Sequence, residues 1–207
     1  MRIKTIVSYD MDENCFILYD DDKNALIVDP GGRGEDIVSF LEEKELKTEA
    51  ILLTHCHYDH VGALKQVKEK TGAKVYIGKG EEIVASSPTY NLSVYFDYAL
   101  TSEYDCVLSD GEELQAGPFK VRAISTPGHT PGGCCYYIED KAMLFSGDTL
   151  FMGSVGRSDF PGGNESLLHK NIREKLFTLP ENTIVYCGHG PNTSIGYEKA
   201  NNMYVGL

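Results

Sequence analysis

No run of basic residues occurs anywhere in this chain; its 19 Lys and Arg are scattered among 31 Asp and Glu, for a formal charge of −12 over 207 residues. A phosphate backbone is repelled by such a surface, so nucleic acid is not an expected partner, whereas a small anionic substrate held by one or two arginines remains compatible. No apolar stretch approaches the length of a membrane span, and Met1-Arg2-Ile3-Lys4 runs into a strand-like segment without a signal-peptide core. A cytoplasmic location, with no membrane partner, is the default expectation. No Pro/Ser-rich linker or low-complexity tract divides the chain, so residues 1–207 are expected to form one domain, large enough to bury a substantial core. None of the six cysteines (Cys15, Cys56, Cys106, Cys134, Cys135, Cys187) forms a CxxC pair, and most sit in apolar strand-like contexts, as buried free thiols do. GxSxG is missing as well, which leaves serine-triad chemistry without support.

What is present is concentrated. Thr54-His55-Cys56-His57-Tyr58-Asp59-His60 places three of the chain's six histidines and a carboxylate within six residues, directly after the strand-like Ala50-Ile51-Leu52-Leu53. Imidazole together with carboxylate suits Zn, Fe or Mn rather than Ca or Mg, which favour all-oxygen sites. Cys56 lies between two of these candidates and is expected not to be a ligand, because neighbouring side chains on a bent loop point apart.

Three further candidates arrive in similar settings. His129 follows the strand-like Phe119–Ser125, Asp148 follows Ala142–Phe145, and His189 follows Thr183–Cys187, each beside glycine. Glycine permits the tight turns that bring short side chains to a shared point. An isolated histidine is usually structural; four strand ends delivering five His and two Asp point to a two-metal site.

Other strand-like runs are Ile3–Ser8, Cys15–Tyr19, Ala25–Asp29, Lys74–Ile77 and Cys134–Ile138. Helical spacing is found from Asp36 to Leu46, from Val61 to about Lys70, around Glu165–Leu176, and over Tyr197–Asn201. Periodicity alone supports one α/β domain with mixed sheets. The aromatic segment Leu92–Glu103, with Tyr95, Phe96 and Tyr98, reads as a loop packed by its own rings or as a flap that shapes substrate choice.

The order His55-x-His57-x-Asp59-His60, His129, Asp148, His189, with the early Asp29-Pro30-Gly31-Gly32, resembles the metallo-β-lactamase superfamily over nearly the whole chain. Thr126–Gly133, Gly156–Gly163 and Cys187–Asn201 are most similar to the short glyoxalase II-like (hydroxyacylglutathione hydrolase-like) hydrolases. The resemblance implies a four-layer αββα sandwich of two mixed sheets. It implies His55, His57 and His129 on one divalent metal, and Asp59, His60 and His189 on a second, with Asp148 bridging. Zinc is expected first, with iron or manganese also compatible. Asp59 and Asp148, as ligands, carry catalysis. A water between two ions roughly 3.5–4 Å apart would have a pKa of about 7, supplying hydroxide to attack a small acyl thioester.

Asp29 is expected behind the ligands, fixing an imidazole tautomer. Arg157 and Asp159 are expected to brace a loop through a salt bridge, or in the case of Arg157 to meet an anionic substrate. Full-length glyoxalase II enzymes carry an additional helical C-terminal region that helps hold glutathione, whereas this chain stops soon after Asn201, so glutathione is not carried over as the thiol carrier. The alternative is a persulfide dioxygenase using one Fe(II) on His55, His129 and Asp148. The stretch from Gly156–Phe160 through Leu176–Pro180 also resembles that family. A closed structural metal module fits less well, since such sites use four ligands, usually with cysteine. The oligomeric state is not legible.

Overall fold

The computed structural model describes residues 1–96 and 99–206. Its first half is a six-stranded mixed sheet in sequential order: β1 (Arg2–Val7), β2 (Asn14–Tyr19), β3 (Asn24–Val28), β4 (Lys47–Leu52), β5 (Val75–Gly78) and β6 (Cys106–Leu108). The first three pair antiparallel, and β3 to β6 pair parallel. Parallel neighbours require crossovers. These contain α1 (Gly34–Glu43), then α2 (Tyr58–Val61) and α3 (Leu64–Thr71), then α4 (Glu82–Ser86).

The second sheet takes β7 (Glu113–Ala116), β8 (Phe119–Ser125), β9 (Cys134–Ile138), β10 (Met143–Gly147), β13 (Ile184–Cys187) and β14 (Thr193–Ser194), in the order β14-β13-β10-β9-β8-β7. A small hairpin, β11 (Leu150–Phe151) with β12 (Ser154–Val155), follows β10. Helices α5 (Glu165–Glu174) and α6 (Ile195–Asn201) start where Asn164 and Ser194 accept hydrogen bonds from Leu167 N and Tyr197 N, as N-caps do.

Strand alternation explains the layers. Side chains two apart share a face. Phe16, Leu18, Leu26, Val28 and Leu52 pack against Phe119, Val121, Ala123, Tyr136 and Phe145 between the sheets. Their neighbours Ile17, Ile27, Ile51 and Leu53 face outward onto Ile37, Leu41, Leu64 and Val67 of α1 and α3. On the far side Tyr137, Leu144 and Val185 meet Leu168 and Ile172 of α5 and Ile195 of α6. The result is the four-layer αββα sandwich. Among the described residues, no helix is long and apolar enough to cross a membrane.

Several sequence expectations change. The helix expected from Val61 starts later, as α3 at Leu64, and a separate short helix, α2, precedes it and carries Asp59 and His60 on a helical turn rather than a loop. The helix from Asp36 ends at Glu43; Leu46 reaches the core from the turn beyond it. The short elements β6, β7, α4, β14 and the β11–β12 hairpin were not expected, because two to five residues are too few to show a period. In the aromatic segment Ser93–Phe96 forms a 3₁₀ turn, and Phe96 stacks on Tyr58 with ring centroids 4.0 Å apart; Tyr98 lies outside the described residues. Five cysteines are buried, Cys106 is half-buried, and all six are free.

Candidate metal centre

The ligand candidates leave the sheets at neighbouring C-terminal strand ends. His55 and His57 follow β4, Asp59 and His60 sit on α2, His129 follows β8, Asp148 follows β10 and His189 follows β13. Gly147, the last residue of β10, has φ +49°, and a Cβ there would lie 2.1 Å from Thr54 Oγ1, so only glycine lets Asp148 approach the His55 loop this closely.

All seven candidates converge. Ligand atoms of His55, His57 and His129 lie within 4.8 Å of one another, as do those of Asp59, His60 and His189, and those of His55, His60 and Asp148. Asp148 stands between the two halves. Its Oδ2 is 3.6 Å from His129 Nε2, while its Oδ1 is 3.3 Å from His60 Nε2 and 3.6 Å from His189 Nε2.

Hydrogen bonds behind the cluster assign tautomers. Carbonyl oxygens only accept, so His129 Nδ1–H donates to Arg157 O (2.6 Å) and His189 Nδ1–H donates to Met11 O (3.1 Å). His60 Nδ1–H donates to Asp29 Oδ2 (3.0 Å). Asp29 also accepts from Thr54 N (2.7 Å) and Thr54 Oγ1 (2.6 Å), which leaves Thr54 Oγ1 to accept from His55 Nδ1–H (3.2 Å). With Nδ1–H committed in this way, each of these four rings turns Nε2 towards the cluster, the orientation a metal ligand needs. His57 instead turns Nδ1 inward, 3.0 Å from His129 Nε2.

The donor set fits divalent metal. His57 Nδ1 faces His129 Nε2 at 3.0 Å, and His60 Nε2 faces His189 Nε2 at 3.3 Å. Two ring nitrogens brought this close face to face need a proton or a metal cation between them, and ligands of one ion are held in this way. His55 Nε2, His57 Nε2 and Asp148 Oδ1 are buried without a hydrogen-bond partner. Buried orphan polar atoms are rare and call for a partner. Burial, reinforced by neighbouring imidazoles, pushes His55 well down and His57 to about 3, and burial lowers His129 despite Asp148. These three rings are neutral, as ligation requires. Burial also lowers His60 and His189, but Asp148 and Asp59 outweigh it and raise both; a metal displaces that proton. Burial alone would raise Asp148 and Asp59, yet His60 and its neighbours hold both below the usual carboxylate range.

Around the centre, Arg157 and Asp159 form a bidentate pair (2.8 Å on each arm), and the guanidinium lies 4.0 Å from the Phe160 ring centroid. Phe160 in turn packs edge-on to His57 at 5.7 Å. The brace therefore supports His57 through Phe160 and His129 through the Arg157 carbonyl. Cys56 points into the core behind α3, not into the centre.

Sequence reading missed three groups. Thr54 wires His55 to Asp29. Glu13 is fully buried with both carboxyl oxygens unpartnered, and burial, with Asp29, Asp59 and Asp148 adding to it, raises its pKa well above the carboxylate range. Glu81 is buried under two ligand loops, and burial pushes it up to about 7 against three hydrogen bonds. No local signal marks Glu81, which lies in the charged segment Lys79-Gly80-Glu81-Glu82; only the fold shows that it is buried and needs partners.

Known proteins resemble this chain in sequence and fold. The chain is 36% identical over 99% of its length to hydroxyacylglutathione hydrolase GloC of Haemophilus influenzae, covering 98% of that protein. It superposes on the crystal structure of BLEG-1 B3 metallo-beta-lactamase with TM-score 0.94 and 40% identity, covering 99% of each chain. The crystal structure of TTHA1623 in a di-iron-bound form matches with TM-score 0.86 and 30% identity over 97% of this chain and 99% of that one. The fold is one that binds divalent metals, and residues 9–189 match the profile of the Metallo-beta-lactamase superfamily, to which this chain belongs.

Proposed function

We propose that this chain is a binuclear metal-dependent hydrolase that cleaves a small acyl thioester. His55, His57 and His129 hold one ion, Asp59, His60 and His189 hold the other, and Asp148 bridges them. The observation that carries the reading is the placement of Asp148, whose two oxygens face opposite halves of the cluster. When bound, two divalent ions lower the pKa of coordinated water to about 7 and polarise a carbonyl oxygen. The chain's own residues supply orientation and charge. Three neutral imidazoles leave one side of the centre strongly electrophilic, while Asp59 and Asp148 moderate the other.

Leaving-group chemistry supports a thioester. Four of the five imidazoles are committed through Nδ1–H to protein acceptors, so they are poorly placed to donate a proton. A thiolate departs without one. Similarity to a relative named hydroxyacylglutathione hydrolase points the same way.

The test is a panel assayed at defined metal content: acyl thioesters, a β-lactam, a phosphodiester and a persulfide. Elemental analysis of loaded protein should approach two ions per chain. Thioester cleavage should rise with pH towards a plateau above neutrality, vanish with chelator and return with metal. One ion per chain, oxygen consumption on the persulfide and no thioester cleavage would instead identify a dioxygenase. Turnover of the β-lactam alone would reassign the substrate class.

A further inference from the structure

Glu81 is fully buried, at the N-terminal boundary of α4. Its Oε1 accepts from Cys56 N (2.8 Å), the residue between His55 and His57. Its Oε2 accepts from Thr130 Oγ1 (2.8 Å) and Gly132 N (3.0 Å), on the segment that follows His129. Backbones touch here: a Cβ on Gly132 would lie 1.9 Å from Glu81 N, and one on Gly78 would lie 2.4 Å from Gly132 O.

The two ligand loops come from different sheets, since β4 belongs to the first and β8 to the second. No β-ladder fixes one against the other. Cys134 N donates to Thr54 O (2.9 Å) and Tyr136 Oη donates to Leu53 O (2.8 Å), but both bonds act on the strand side of His55. Glu81 reaches the loop itself. It parallels Asp29, another enclosed carboxylate with three donors, whose partners are Thr54 and His60.

We propose that Glu81 is the positioning residue of the three-histidine half of the centre: it clamps the His55–His57 loop to the His129 loop and thereby sets the spacing of the three imidazoles that receive one ion. Asp29 serves His60 directly and reaches His55 only through Thr54. The assignment rests on the metal-centre reading above.

The choice of a carboxylate follows from the donors. All three partners give hydrogen and take none in this arrangement, so both oxygens must accept. Glu81→Gln keeps the volume but turns an NH₂ towards either Cys56 N–H or the Thr130–Gly132 pair. One loop is then released while the fold retains its core. Glu81→Ala removes both contacts and is the harsher variant.

The test is stepwise Zn(II) release against a chelator, with imidazole ¹⁵N shifts reporting which rings remain ligated. Wild type, Glu81→Gln and Asp29→Asn are compared. Glu81→Gln should weaken the ion on His55, His57 and His129 by about ten- to a hundredfold and leave the ion at Asp59, His60 and His189 near its wild-type affinity. Asp29→Asn should weaken the ion at Asp59, His60 and His189, where its hydrogen bond is direct, and reach the other ion only through Thr54 and His55. Equal weakening of both ions by Glu81→Gln, or of neither, overturns the proposal. If Glu81→Gln does not fold, the smaller truncation Glu81→Asp, which cannot span both loops, is read by the same criterion. A wild type that fails to take up two ions would refute the metal-centre reading itself, before Glu81 is in question.

Discussion

Asp29→Asn offers a sharp test of how the second half of the centre is wired. Asn has the size of Asp and tolerates the left-handed backbone at this position, φ +49°, so the fold should be retained. The amide can sit in two ways. With its oxygen towards Thr54 N, its NH₂ confronts Thr54 Oγ1 and His60 Nδ1, now 2.6 Å and 3.0 Å from an acceptor. His60 must then move its proton to Nε2, the atom that faces Asp59, Asp148 and His189, and can no longer bind metal. With the amide flipped, His60 keeps its tautomer but Thr54 N–H is buried against a donor, which costs roughly 1–3 kcal/mol of stability. In the first orientation the loss falls on metal affinity, about ten- to a hundredfold, or ~1.4–2.7 kcal/mol. Two measurements separate these outcomes: the tautomer of His60 by long-range ¹H–¹⁵N correlation, and thermal midpoint together with chelator competition. An Asp29→Asn protein that keeps His60 Nδ1–H, both ions at wild-type affinity and an unchanged midpoint would refute the wiring.

Other expectations follow from the same geometry. Asp148→Ala should lose at least one ion and nearly all hydrolysis while circular dichroism stays native, because the core clusters lie elsewhere; retention of both ions and of turnover would exclude a bridge. Gly147→Ala places a Cβ 2.1 Å from Thr54 Oγ1 at φ +49°, so it should cost about 1–2 kcal/mol of backbone strain before the clash and weaken metal binding, as read by unfolding and elemental analysis. His57 responds to pH in the metal-free protein. Its folded pKa is about 3, so between roughly 6.5 and 3 the unfolded chain binds a proton that the folded chain refuses, and stability falls with pH across that window. His57→Gln removes this term, and its midpoint should rise relative to wild type as pH falls from 6.5 to 4; parallel curves would contradict the burial of a neutral ring.

The sequence by itself determined the chemistry on offer. Seven ligand candidates are concentrated at four strand ends and punctuated by glycine, and the alternation in Phe119–Ser125 and the unbroken apolar run Cys134–Ile138 are strong enough to read those strands to the residue. Local signals decide such features: a strand needs period two, and a tight turn needs glycine. What only the tertiary structure decided is how the ligands are held. Asp29 and His60 are 31 residues apart, His129 and Arg157 are 28 apart, and Glu81 joins Cys56 to Gly132 across two sheets. No periodicity links such positions, because the acceptor of a buried donor is chosen by packing and not by spacing. The break between α2 and α3 has the same origin. Spacing after Val61 marks α3, but Asp59 and His60 face the centre while Leu64 and Val67 face the core, and one straight helix cannot present both.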